Sequence, residues 1–113
     1  EANRVLRPGG LLLAECPNPH SLRVGGTLFW LDPTHLRPLL PETLDLALRA
    51  AGFEVERVEY RHPFPDDQLF SSAGTTPENG AGALEVRLGE IERRLDELLN
   101  GPRDFLVIAV KDG

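Results

Sequence analysis

Asp32 and His35 stand three residues apart in the segment FWLDPTHLRP (residues 29–38) and are the sharpest candidates for proton chemistry. Imidazole, with an unperturbed pKa near ~6.5, can take a proton at neutral pH. A carboxylate a few residues away can fix its tautomer and raise its basicity. The plainer alternative is a turn at Asp32-Pro33, with the carboxylate capping backbone N–H groups and His35 exposed or packed. The three histidines, His20, His35 and His62, match no recognised metal-ligand spacing, so no metal site is assigned.

Asn18 lies just beyond an apolar run that reads as a strand, where open α/β sheets place their ligands. Its amide would hold substrate or, alternatively, close an Asx turn between Pro17 and Pro19. Trp30 and Arg37 offer a substrate-binding pair: an aromatic face stacks on a sugar or ring, and a guanidinium pairs with phosphate or carboxylate. Equally, Phe29 and Trp30 would simply pin a long loop to the body. Cys16 and Glu15 end the same strand, and a lone buried cysteine is more often core than nucleophile.

The elements that would position these groups are legible in part. Residues 1–7 fit the end of a helix, stopped by Pro8-Gly9-Gly10. Leu11–Ala14 is a short continuous apolar run, the pattern of a strand covered on both faces. Residues 20–40 have no clear periodicity and form a long loop on the acceptor side. Pro41-Glu42 opens a helix whose stripe is Leu44, Ala47, Leu48 and Ala51, and Gly52 ends it. Phe53–Tyr60 reads as a strand whose apolar residues change face midway, so a bulge intervenes or both faces are covered. Residues 61–82, rich in Pro, Gly, Ser and Thr, read as a mobile loop. Leu84, Leu88, Ile91, Leu95 and Leu98 mark an amphipathic helix over 83–99, with Asp96 placed on its polar side. Phe105–Val110 is a second apolar strand.

The 113 residues suit one domain and carry a net charge of -6. That acidity argues against nucleic acid or an anionic membrane as partner. No apolar run reaches the ~18 residues of a spanning helix. A single cysteine forbids an internal disulfide and fits a reducing cytoplasmic setting. The chain has no Met and opens inside a helix-like segment, so it reads as a piece of something longer. Three strands with two strongly apolar members also call for a sheet completed by a missing part or by self-association through the bare edge.

The segment RVLRPGGLLLAE (residues 4–15) resembles class I S-adenosylmethionine-dependent methyltransferases, where a helix ends in such a turn before the fifth strand. PETL (41–44), AAGF (50–53) and the terminal strand follow in family order. PNP (17–19) and FWLDPTHLRP look like a subgroup related to ubiquinone-pathway and saccharide O-methyltransferases. The resemblance implies an α/β fold: a partial Rossmann-like sheet of strands five, six and an antiparallel seventh inserted between them, with two or three helices. Residues 1–113 would be a single partial domain, its C-terminal part. The implied parent uses S-adenosylmethionine to methylate a small-molecule or saccharide acceptor, with His35 and Asp32 catalytic and Asn18, Trp30 and Arg37 on substrate. No glycine-rich loop follows a strand here, so no residue is assigned to the cofactor and the chain alone is expected inactive. The alternative is a stand-alone interaction module that dimerises through its strand edge and its 83–99 helix.

Overall fold

The computed structural model describes residues 1–71 and 82–113; the second half of the loop expected over 61–82 lies outside the described residues. Helix α1 (Ala2–Val5) leads through a turn to strand β1 (Leu11–Pro17). Gly9 makes that turn at φ 78°, a conformation that glycine adopts without steric cost. A short helix α2 (Leu22–Gly26) and a 3₁₀ turn (Leu28–Leu31) then precede helix α3 (Pro41–Ala50). Strand β2 (Phe53–Arg61), helix α4 (Ala83–Leu99) and strand β3 (Asp104–Lys111) complete the chain.

The sheet order is β1-β3-β2, with β3 antiparallel to both neighbours. The last strand therefore inserts between the first two, as expected. β3 is also the most buried strand, because both its edges are paired and its residues alternate between the two faces.

One face carries the core: Phe53, Phe105, Val107 and Ala109 with Leu48 of α3, flanked by Leu12, Cys16, Val55 and Val58. Val55 and Val58 share that face because the register shifts between Val55 and Arg57. The extra residue, Glu56, turns the strand and restores the alternation. Of the two readings left open for this strand, the bulge is the one the structure adopts. Lys111 links α1 to β3 by donating its ammonium to the Asn3 and Leu6 carbonyls. Asn3 Nδ2 bonds the Ala51 carbonyl at 2.7 Å, closing α1 onto the end of α3.

The opposite sheet face is open at β1 among the described residues, although Leu106 and Ile108 of β3 are buried there. Leu11 and Leu13, opposite Val110 and Ile108, are 59% and 62% exposed. β1 looked like a strand covered on both faces; in this chain only the Leu12, Ala14 and Cys16 side meets a helix layer.

α4 departs from expectation in a second way. Its leucine stripe is exposed, and its one buried residue is Asp96, which periodicity had placed on the polar side. That carboxylate accepts the Phe70 and Ser71 amides at 2.8 and 2.9 Å, the Ser71 hydroxyl at 2.6 Å and the Asn100 amide at 3.1 Å. Burial alone would raise its pKa; the Ser71 hydroxyl and amide, with Phe70 and Asn100, hold it well below the carboxylate range. The described part of the 61–82 loop is thus tied to α4 by one carboxylate. Ser21 at the start of α2 donates to the Leu99 carbonyl at 2.8 Å and fastens the other end of α4.

Candidate active site

A cleft of about 360 Å³ opens where the strands end. Pro17 closes β1, His62 follows β2, and Arg103 and Asp104 begin β3, so all three strands contribute a rim residue. Val24 of α2, Leu28 and Phe29 of the 3₁₀ turn, and His35 form the other wall. The carboxyl ends of β1 and β2 thus face the cleft, the position where open α/β sheets take ligands.

Phe29 organises the loop wall. It is 6% exposed, meets Trp30 edge-on with ring centroids 5.0 Å apart, and stacks on His35 at 4.6 Å. His35 Nδ1 lies 2.7 Å from the Phe29 carbonyl. A carbonyl oxygen can only accept, so Nδ1 carries the proton in that bond and the neutral ring keeps its lone pair on Nε2. Asp32 Oδ2 stands 3.5 Å from Nε2. The sequence suggested that Asp32 sets the tautomer; the Phe29 carbonyl does so, and Asp32 instead faces the nitrogen that would gain a proton. The other Asp32 oxygen accepts the Thr34 amide at 2.8 Å and hydroxyl at 2.6 Å, the turn that Asp-Pro favours. Those Thr34 bonds, hydroxyl first, hold the Asp32 carboxyl below its usual pKa, so it stays anionic opposite the ring.

The remaining expected site residues are placed differently. Asn18 is 2% exposed and its carboxamide is engaged by backbone: Nδ2 donates to the Pro102 carbonyl at 2.9 Å and Oδ1 accepts the His20 amide at 3.1 Å. Its own amide donates to Arg103 at 2.8 Å. Asn18 therefore clamps the β1 end to the β3 start, the Asx-turn alternative, and does not line the 360 Å³ cleft. Trp30 donates its indole N–H to the Gly25 carbonyl at 2.9 Å, and the residue is 55% exposed. Trp30, Asp32 and Arg37 lie along the same loop as His35, but only His35 of the five lines the cleft. The cleft residues missed from sequence, His62, Arg103 and Asp104, come from strand termini far apart in the chain. Only the strand pairing brings them together.

The residues present do not fit S-adenosylmethionine on their own. Three of the four backbone N–H groups in the two glycine pairs are already engaged: Gly9 to the Lys111 carbonyl, Gly10 to Arg7 and Gly25 to Ser21. No described strand leads through a glycine-rich loop into a helix.

No protein-family model and no curated protein matches this chain. A solved structure does: the crystal structure of a SAM dependent methyltransferase from Archaeoglobus fulgidus, at 29% identity and TM-score 0.77. The alignment covers 94% of this chain and 47% of that one. The chain spans about half the length of the methyltransferase it matches, and its fold is that of a partial methyltransferase sheet.

Proposed function

We propose that this chain is the C-terminal, acceptor-side portion of an S-adenosylmethionine-dependent methyltransferase that methylates a hydroxyl of a small molecule or saccharide. The observation that carries this reading is the β1-β3-β2 order with an inserted antiparallel strand, in a chain that aligns to half of such an enzyme. The bare β1 edge and the exposed Leu11 and Leu13 are then surfaces that the rest of the domain covers. The cofactor is held by residues outside this chain.

Within that enzyme His35 is the base. Its Nε2 takes the proton of the acceptor hydroxyl as the oxygen becomes nucleophilic, and Asp32 stabilises the resulting imidazolium. The apolar cleft wall of Val24, Leu28 and Phe29 excludes water from the acceptor, while Trp30 and Arg37 contact the acceptor beyond the cleft. Most of the rate comes from holding acceptor and methyl donor together, with proton transfer secondary. Incubating the longer protein that contains this chain with a labelled methyl donor and a panel of hydroxylated acceptors tests the reading. Label transferred to an acceptor oxygen supports it; none transferred to any acceptor rejects it.

A second reading is an interaction module. It is favoured by the exposed stripe of Leu84, Leu88, Ile91 and Leu98 on α4 together with the bare strand edge. Concentration-dependent dimerisation of the chain, abolished by charged substitutions at Leu11 and Leu13, would support it.

A further inference from the structure

Glu15, His62 and Asp104 are 47 and 42 residues apart in sequence, yet one ligand atom from each lies within 4.8 Å of the other two. The sheet register is the cause. Glu15 pairs with Leu106, two residues from Asp104, so the two carboxylates share the open face. Arg61 pairs with Asp104, and the next residue, His62, turns back over the strand ends at φ 57°. Arg103 fixes that turn by donating its amide and its Nε to the His62 carbonyl at 3.1 and 2.9 Å.

The result is a single imidazole nitrogen facing two carboxylates. His62 Nδ1 lies 2.7 Å from Asp104 Oδ2 and 3.5 Å from Glu15 Oε1. Donors to a zinc-like ion sit about 2.0–2.2 Å from the metal, which places neighbouring donors about 3.0–3.5 Å apart. The His62–Asp104 spacing lies a few tenths of an ångström below that range and the His62–Glu15 spacing at its upper end, roughly as tetrahedral donors require. The carboxylates lie within 4.8 Å of each other, and all three side chains are part-exposed, with room to close that gap. Two carboxylates balance the charge of a dication. The guanidinium of Arg103 is turned away, to the His62 and Pro63 carbonyls and over the Phe64 ring.

We propose that Glu15, His62 and Asp104 form a binding site for a divalent transition-metal ion at the strand-end rim of the cleft. One nitrogen and two oxygens favour a zinc-class ion over magnesium or calcium, which prefer all-oxygen sites. Three protein ligands leave coordination positions open to water or to an oxygen ligand in the cleft, which His62 and Asp104 both line. The site does not depend on the methyl-transfer reading, and each can fail without the other.

The test titrates Zn²⁺ calorimetrically, and Co²⁺ by its visible absorption, into the chain and into His62→Ala, Glu15→Gln and His20→Ala. The expected result is one equivalent bound by the chain and by His20→Ala. His62→Ala and Glu15→Gln should each weaken binding by about tenfold or more. Glu15 is an exposed side chain, so its variant retains the fold even if His62→Ala does not. Absence of binding, or equal affinity in chain and Glu15→Gln, overturns the assignment.

Discussion

His35 and Phe29 hold each other twice: ring on ring at 4.6 Å, and imidazole N–H to backbone carbonyl at 2.7 Å. The first contact fixes the plane of the imidazole and the second fixes its tautomer. Proton chemistry at this position is therefore confined to Nε2, the nitrogen beside Asp32.

On the proposed reading, replacing His35 by Ala in the parent methyltransferase should lower the turnover rate about 10²–10⁴-fold, the range of general base catalysis. Asp32→Asn should cost less, because Asp32 stabilises the imidazolium without setting the tautomer. Steady-state methyl transfer separates the two: the His35 variant should lose most of the turnover and the Asp32 variant a smaller part of it.

Asn18→Ala should destabilise the fold by about 1–3 kcal/mol, since it leaves the Pro102 carbonyl and the His20 amide without their partner. Denaturant unfolding measures this. A stability unchanged beside a raised KM for the acceptor would return Asn18 to the substrate-binding role that its sequence position suggested.

Asp96 gives the chain an acid sensitivity. Its folded pKa lies below the unfolded value of about 3.9, so its contribution is fully present above that value and is lost as pH falls through the folded one. Asp96→Asn should lower stability at neutral pH by about 1.5–3 kcal/mol, the range for hydrogen bonds to a charged group. It should also flatten the decline in stability below about pH 4. Thermal unfolding of both proteins from neutral to acid pH checks the sign and the size.

The strands, α3 and α4 were legible in the residues because apolar runs and turn signals are local, whereas the order of the sheet followed only from the family resemblance. The bulge in β2 was visible as a change of face at Val55 and Val58, though not its outcome, which depends on pairing with β3. What misled was the assumption that periodicity fixes burial. The leucines of α4 remain exposed, while Asp96 is buried because four donors converge on it from the loop and the helix end. His35 could be singled out from its residue type, and the structure places it on the cleft wall. Its tautomer could not, because the determining partner is a backbone carbonyl that no residue type reveals. Glu15, His62 and Asp104 were invisible as a group, because only register places them together.

The most direct test of the central claim is S-adenosylmethionine binding measured calorimetrically on two proteins: this chain, and a longer protein that joins it to the methyltransferase half the proposed reading requires. The account predicts one equivalent bound by the longer protein and none by the chain, in which no described strand leads through a glycine-rich loop into a helix. Failure of the longer protein to bind, or full binding by the chain alone, would contradict it.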